Sequence, residues 1–292
     1  MNPFRGTYTA LVTPFRDGQI DFDALERHVQ RQLDALVDGL VPCGTTGESP
    51  TLSVEEQRQV VARVAKQAAG RAKVLAGAGT NSTAKTLELI RLMADCGVDG
   101  LLVVAPYYNK PSQRGLFEHF SAIAKEVKLP IVLYNIPGRC GVEISVETIC
   151  RLREAHETIV AVKHATGRVD DAAELLSRCD IGVLSGDDPL TLPLMSVGAE
   201  GVISVVSNLA PRSVKRLTQA ALAGDWAAAQ DAHRKLYPLA KALLSLDVNP
   251  VPIKTALAVR GWCAEEFRLP LCPMEGANRA RLIGLVNECC LE

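Results

Sequence analysis

Residues 159–167 read Ile-Val-Ala-Val-Lys-His-Ala-Thr-Gly, and the rest of the chain is interpreted outward from this stretch. Four apolar residues, three of them β-branched, lead directly to Lys163, which predicts a buried strand that ends in a lysine. Because a buried ammonium is costly, such a lysine either pairs with a carboxylate at the end of the strand or is kept as a neutral amine. A neutral lysine amine attacks carbonyl carbons and forms a Schiff base. Taken alone, the stretch favours a lysine that pairs with a carboxylate. The rest of the chain favours a lysine that forms a Schiff base.

Apolar, β-rich stretches alternate with amphipathic stretches along most of the chain. The predicted strands cover residues 7–12, 39–43, 73–77, 101–105, 131–134, 159–163, 181–185 and 202–206. The predicted helices cover residues 21–37, 53–69, 83–96, 113–127, 145–154, 170–178, 189–197 and 211–223. Continuously apolar strands alternating with helices indicate a parallel sheet covered by helices, and eight such units predict an α/β fold, a closed (β/α)8 TIM barrel. An open nucleotide-binding sheet is disfavoured because no G-x-G-x-x-G follows the first strand.

Three predicted helix-to-strand joints share an acidic residue followed by glycine, at positions 38–39, 99–100 and 200–201. Glycine at the end of a helix permits a left-handed turn, so we expect these glycines to supply one. From residue 225 onward the pattern is helical only, with breaks at residues 249–252 and 269–273. We therefore predict a catalytic barrel over residues 1–224 and a C-terminal helical domain, an appendage to the barrel, over residues 225–292.

Composition excludes several classes of protein. The 292 residues are 48% hydrophobic, carry a net charge of −1 and show no basic run, so nothing indicates binding to nucleic acid. Neither a signal peptide nor a run of about 20 uncharged apolar residues is visible, which predicts no membrane span. Nine scattered cysteines without a C-x-x-C pair predict free thiols in a reducing cytoplasm. The five histidines show no metal-ligand spacing, so we predict no metal site.

Polar residues follow several predicted strands at their carboxyl ends, where barrel enzymes place their active sites. Two threonines lie in a tight Gly44-Thr45-Thr46-Gly47 turn, whose N–H groups either cradle an anion or form an ordinary threonine turn. A tyrosine at the end of a strand either transfers a proton or has only a packing role. An arginine there either binds the carboxylate of a substrate or forms an ion pair at the surface. Because neighbours in a strand point to opposite faces, His164 is expected to face the helices. The further candidates of this kind are Tyr107, Tyr108, Tyr134, Arg139 and Gly186.

Four motifs, in this order and spacing, resemble the dihydrodipicolinate synthases, barrels of the pyruvate-dependent class I aldolase type. The motifs are Gly44-Thr45-Thr46-Gly47-Glu48, Pro106-Tyr107-Tyr108-Asn109-Lys110-Pro111, Tyr134-Asn135-Ile136-Pro137 with Arg139, and Val162-Lys163-His164-Ala165-Thr166-Gly167. The resemblance extends from Thr7 to a motif at residues 249–254. It implies a lyase of diaminopimelate and lysine biosynthesis, which joins pyruvate to L-aspartate 4-semialdehyde through a Schiff base and then cyclises the product. No cofactor beyond that covalent Schiff base is implied.

The resemblance also implies a role for individual residues. Lys163 corresponds to the Schiff-base lysine, and Tyr134, Thr45 and Tyr108 correspond to a proton relay in which Tyr108 comes from a second subunit. The substrate-binding residues are Thr46 for the pyruvate carboxylate, Arg139 for the carboxylate of the aldehyde, and Gly186 and Ile203 lining the pocket. Tyr107 marks the tight subunit contact of a homotetramer built as a dimer of tight dimers.

Two alternatives remain beside this interpretation. An N-acetylneuraminate lyase or a 2-keto-3-deoxy sugar-acid aldolase is disfavoured, because sister aldolases for sugar acids do not generally carry the arginine at position 139. A pyruvate-binding regulatory protein with an inactive site is disfavoured because the relay residues are intact. One departure from the family is His164, where glutamate is common.

Weak inhibition by lysine is a further expectation from the resemblance. Lysine-sensitive relatives bind the effector at the tight dimer interface, and the positions matching Ser49, Asn81 and Tyr107 are retained. However, Gln57 stands in place of a histidine and Lys85 in place of a glutamate that would attract the effector's ammonium groups.

Overall fold

Eight parallel strands pair in sequence order and close into a barrel in the computed structural model, which describes residues 2–288. The first strand pairs with the eighth, with Gly6 opposite Gly201, and this pairing closes the ring. The predicted TIM barrel is therefore confirmed. The strands are Gly6–Ala10, Gly39–Val41, Lys73–Gly77, Gly100–Val104, Ile131–Asn135, Ile159–His164, Gly182–Ser185 and Gly201–Ser204.

Helices cover the outside of the barrel at the predicted places. They are Phe22–Asp34, Val54–Ala68, Thr83–Ala94, Gln113–Glu126, Val146–Ala155, Val169–Arg178, Thr191–Ser196 and Pro211–Leu222. Ser53 and Glu56 form a reciprocal capping box at the start of the second helix. Several predicted elements are too long. The first two strands end at Ala10 and Val41. Val206–Asn208 leaves the eighth strand as a 3-10 turn, and Asp188–Leu190 forms a separate 3-10 turn before the helix that follows.

The prediction that the glycines at the helix-to-strand joints supply left-handed turns is wrong for two of the three joints. Gly39 and Gly100 do not have positive φ angles, and the left-handed residue lies three positions earlier, at Leu36 (φ 58°) and Gly97 (φ 75°). Glycine is needed instead for close packing, because a Cβ atom on Gly39 would lie 2.0 Å from the ring of Tyr8. The left-handed Leu36 also explains why the first helix ends at Asp34 rather than at residue 37.

Alternation along the strands separates two hydrophobic cores. The inner core fills the barrel with side chains that include Tyr8, Tyr134, Ala161 and Ile203. The outer core lies between the strands and the helices and includes Val162 from the same strand as Ala161. Lys163 therefore shares the inner face of its strand with Ala161, since residues two apart point the same way.

Within residues 2–288, three helices follow the barrel, at Trp226–Ser245, Val251–Val259 and Gly276–Glu288. The first of them packs against the barrel helix Pro211–Leu222. Both predicted breaks fall at connections between these helices, although helix Val251–Val259 already begins inside the first break and the second connection is longer than predicted. The division of the chain into domains at residue 224 stays a prediction.

No helix within residues 2–288 is long and apolar enough to cross a membrane. The seven cysteines in this part of the chain are free thiols. The other two, Cys289 and Cys290, lie outside the described residues.

Candidate active site

Two neighbouring strands place Lys163 against Tyr134 inside the barrel. The residues are paired across the fifth and sixth strands, and the Nζ atom of Lys163 lies 4.0 Å from the centroid of the tyrosine ring. Both side chains are buried, at 6% and 5% exposure. Among residues 2–288, no carboxylate forms an ion pair with Lys163, which contradicts the alternative of a lysine paired with a carboxylate. The strand therefore presents a single amine beside a phenol.

Gly186 lies beside the side chain of Lys163, directly after the seventh strand. A Cβ atom on Gly186 would lie 3.1 Å from Cε of Lys163 and 2.8 Å from Cβ of Ala165, so only glycine leaves room for the lysine side chain. The Gly186 N–H donates to the His164 carbonyl at 2.7 Å, which fixes this backbone beside the sixth strand. Ile203 belongs to the inner core of the barrel together with Tyr134.

The double-threonine turn forms a short 3-10 helix, Thr45–Gly47, at the end of the second strand. Thr46 is buried, and its Oγ1 accepts a hydrogen bond of 3.1 Å from Nδ2 of Asn249. Glu48 ends the turn in the left-handed conformation, with φ at 55°. Cys43 precedes the turn, and burial raises the pKa of its thiol far above the ordinary value. Cys43 is therefore held as a thiol rather than as a nucleophilic thiolate.

Arg139 lies on a four-residue helix, Pro137–Cys140, directly after the fifth strand. Its Nη2 donates to the backbone carbonyl of Asn249 at 3.0 Å. Tyr108 adopts a positive φ of 75° and its N–H donates to the Cys140 carbonyl, while its side chain is 88% exposed. Within one chain, Tyr108 thus does not border the cavity that Thr45 and Tyr134 line.

A cavity of about 390 Å³ opens at the carboxyl ends of the strands. Its walls include Thr45, Tyr107, Tyr134 and Arg139 from the predicted site. The other predicted residues, Thr46, Tyr108, Lys163, Gly186 and Ile203, do not line this cavity. Tyr134 connects the two groups, because its ring lies against Lys163 and also borders the cavity.

His164 takes no part in this arrangement. Its Nε2 lies 2.8 Å from the Arg168 carbonyl and 2.9 Å from Oγ1 of Thr166, both in the loop that follows the strand. The prediction from strand alternation, that His164 faces away from Lys163, is confirmed.

Comparison with known proteins assigns this geometry to a family. Residues 3–288 match the model of the dihydrodipicolinate synthetase family. This chain belongs to that family. A family member from Pelobacter propionicus, a 4-hydroxy-tetrahydrodipicolinate synthase, is 50% identical over 97% of this chain and 98% of its own. The corresponding synthase of Aquifex aeolicus is 48% identical over 96% of this chain and 95% of its own.

The fold agrees with that of solved family members over almost the whole chain. The crystal structure of dihydrodipicolinate synthase from Aquifex aeolicus superimposes with a TM-score of 0.97, at 47% identity, and covers 99% of each chain. At this level of identity, sequence and structure support the same family assignment.

Glu48, Asn249 and Lys254 lie beside the site but were not predicted to be functional. Glu48 belongs to the double-threonine motif, and the other two belong to the motif at residues 249–254. Asn249 contacts both Thr46 and Arg139, and Lys254 forms a buried ion pair with Glu48. The signal in the sequence was the motif at residues 249–254, which had no role attached to it. Within residues 2–288, no group of three or more His, Cys, Asp or Glu side chains is arranged to hold a metal ion.

Proposed function

We propose that the chain is a 4-hydroxy-tetrahydrodipicolinate synthase of the diaminopimelate and lysine pathway, which joins pyruvate to L-aspartate 4-semialdehyde and cyclises the product. The observation that carries this proposal is the buried amine of Lys163 against the ring of Tyr134, without a carboxylate partner among the described residues. Membership of the dihydrodipicolinate synthetase family supports a lyase of the class I aldolase type.

The reaction begins when the neutral amine of Lys163 attacks C2 of pyruvate. Tyr134 transfers protons as the carbinolamine loses water and becomes an iminium ion. The iminium withdraws electrons from C3, so a C3 proton leaves and an enamine forms. The enamine carbon attacks the aldehyde carbon, and the amino group of the second substrate then displaces Lys163 and closes the ring. In this proposal the iminium supplies the electrophilic pull, so no other cofactor is required.

The two substrate carboxylates are assigned to different residues. Thr46 and the N–H groups of its turn hold the pyruvate carboxylate, and Arg139 binds the carboxylate of L-aspartate 4-semialdehyde. Arg139 borders the cavity, and no carboxylate among residues 2–288 forms an ion pair with it, so its charge is available to a substrate. This arrangement favours an amino-acid aldehyde over the sugar acids of the sister aldolases.

The active assembly is a homotetramer made of two tight dimers, located in the cytoplasm. Tyr108 supports a shared site, because its exposed side chain leaves the relay of Tyr134 and Thr45 incomplete within one chain. Tyr107 borders the cavity while remaining 38% exposed, as expected for a residue at the tight subunit contact.

Trapping of the Schiff base tests the proposed function. Borohydride added with pyruvate should attach a reduced pyruvyl group at Lys163, which peptide mass mapping locates. Lys163→Ala should abolish this adduct, whereas Lys66→Ala, a change at an exposed lysine of helix Val54–Ala68, should leave it intact. An equal adduct in Lys163→Ala would contradict the assignment. Turnover of pyruvate with L-aspartate 4-semialdehyde, compared with cleavage of sugar acids, decides between the synthase and its sister aldolases.

A further inference from the structure

Asn249 joins two parts of the site although it lies outside the barrel. Its side-chain Nδ2 donates to Oγ1 of Thr46 at 3.1 Å, and its backbone carbonyl accepts from Nη2 of Arg139 at 3.0 Å. Thr46 and Arg139 are the two side chains assigned to the substrate carboxylates. One residue that precedes helix Val251–Val259 therefore contacts both carboxylate-binding residues.

A buried ion pair holds this helix against the double-threonine turn. Nζ of Lys254 lies 2.5 Å from Oε1 of Glu48, and both side chains are fully buried. The rings of Phe15 and Phe267 lie 4.3 Å and 4.8 Å from the same Nζ. Because Glu48 ends the turn that contains Thr46, movement of Thr46 relative to Asn249 would strain this pair. The contact between Asn249 and Thr46 is thus fixed from two sides.

The direction of the hydrogen bond matters for the chemistry. A threonine hydroxyl has one proton to donate and two lone pairs that accept. When the Asn249 amide donates to Oγ1, the hydroxyl proton of Thr46 stays free for a carboxylate oxygen. In the reverse direction the proton would be used by Asn249, and only lone pairs would face the anion. Oδ1 of Asn249 is buried without a hydrogen-bond partner within the described residues, so it does not compete for that proton.

We propose that Asn249 is a positioning residue that makes Thr46 a donor to the pyruvate carboxylate. The proposal rests on the function proposed above, since it takes pyruvate as the ligand of Thr46. Asn249 contacts Arg139 through its backbone carbonyl and Thr46 through its side chain. Substitution of the Asn249 side chain therefore removes the hydrogen bond to Thr46 and keeps the carbonyl that Arg139 contacts.

The first test is Asn249→Ala, which removes the amide and keeps the carbonyl that Arg139 contacts. The pyruvate concentration for half-maximal borohydride trapping should rise about 3–10-fold, the effect of losing one hydrogen bond. In steady-state assays the KM for pyruvate should rise by the same factor, while kcat and the KM for L-aspartate 4-semialdehyde change less than about twofold. Asn278→Ala is the matched control, because the Asn278 side chain also forms a hydrogen bond in the helical appendage, to the Leu246 carbonyl, but forms none with Thr46 or Arg139.

Asn249→Asp separates positioning from a merely structural role. Aspartate is closest to asparagine in shape, so a structural role predicts a smaller effect than that of alanine. The proposal predicts a larger rise in the pyruvate concentration for half-maximal trapping, because the new carboxylate accepts the Thr46 proton and repels the pyruvate carboxylate.

A double-mutant cycle with Thr46→Val completes the test. If Asn249 acts through the Thr46 hydroxyl, Asn249→Ala should have less than about a twofold effect in the Thr46→Val background. Independent, multiplying effects, or no change in Asn249→Ala alone, would overturn the proposal. Trapping needs only pyruvate, so the result remains valid if the wild type forms the adduct but does not turn over L-aspartate 4-semialdehyde. A wild type that forms no adduct would overturn both the proposed function and this inference.

Discussion

The ring and the hydroxyl of Tyr134 have separable roles at the scale of single residues. The ring packs against the Lys163 amine inside the barrel, and the hydroxyl is the proposed proton carrier. Tyr134→Phe keeps the ring, so Lys163 should stay in place and the protein should fold normally. We expect kcat to fall about 10²–10⁴-fold, the usual effect of removing a positioned acid–base group.

Steady-state kinetics with thermal unfolding would check this prediction. Tyr237→Phe is the control, since Tyr237 is an exposed tyrosine of helix Trp226–Ser245. A Tyr134→Phe enzyme that kept most of its kcat would show that the proton moves by another route.

A second prediction at this scale concerns the response to lysine and the part that Lys85 has in it. It is exposed near the start of helix Thr83–Ala94, and no carboxylate within residues 2–288 forms an ion pair with it. Gln57 already donates to the carbonyls of Ser49 and Leu52. We expect weak inhibition by lysine, because Lys85 repels the ammonium groups of the effector and lowers affinity roughly tenfold or more after screening by solvent.

Initial rates measured against rising lysine would test this expectation. Lys85→Glu should increase sensitivity, whereas Lys66→Glu, a matched reversal of charge on helix Val54–Ala68, should not. Half-inhibition of the wild type below about 1 mM, a binding free energy near −4 kcal/mol, would count against it.

Some site residues could be identified from the sequence and others could not, for a physical reason. Lys163 and His164 were assigned to opposite faces because strand alternation is a local rule that the chain must obey. Asn249 was not identified, because its partners Thr46 and Arg139 are 203 and 110 residues away in sequence. No local pattern encodes a contact at that separation.

The ion pair between Glu48 and Lys254 links the double-threonine turn to helix Val251–Val259 at the scale of elements. Burial lowers the pKa of Lys254, and the neighbouring Glu48 opposes that shift. Lys254→Met would leave Glu48 buried without its cation, and we expect a loss of about 3–5 kcal/mol in the free energy of unfolding. Urea denaturation would measure the loss.

Two further variants identify the cause of that loss. Glu48→Gln combined with Lys254→Met removes both charges and should recover most of the stability. Lys235→Met removes the exposed pair with Asp231 and should cost less than about 1 kcal/mol. Equal losses in Lys254→Met and Lys235→Met would mean that burial of the pair has no importance.

Repeated elements followed from the sequence, and isolated short ones did not. Every barrel strand and its helix was predicted, even the three-residue strand Gly39–Val41, because an apolar run followed by an amphipathic stretch recurs eight times along the chain. The helix Pro137–Cys140, which carries Arg139, and the small hairpin Phe15–Arg16 with Gln19–Ile20 were missed. These elements of two to four residues are too short to show a hydrophobic period and stand outside the repeated pattern of strand and helix.

Assembly is tested at the scale of the whole molecule by mixing two inactive variants. Tyr108→Phe lacks the residue supplied to a partner, and Lys163→Ala lacks the Schiff-base residue. After subunit exchange at equal amounts, half of the dimers are mixed and each has one complete site, so about a quarter of wild-type activity should return.

The control mixes Lys163→Ala with Tyr134→Phe, two changes within the same chain's own site. No mixed dimer then has a complete site, so activity should not return. Absence of recovery with Tyr108→Phe, despite proven exchange, would argue against a tyrosine shared between subunits.

The 206-residue separation of Glu48 and Lys254 has a consequence for biosynthesis. At a translation rate of about 5–20 residues per second, Lys254 is made about 10–40 s after Glu48. Lys163 is made within that interval, about 5–18 s before Lys254, while the turn with Thr46 still lacks its buried cation. The growing polypeptide therefore contains the Schiff-base lysine before it contains the ion-pair partner that holds the turn proposed to bind the substrate carboxylate.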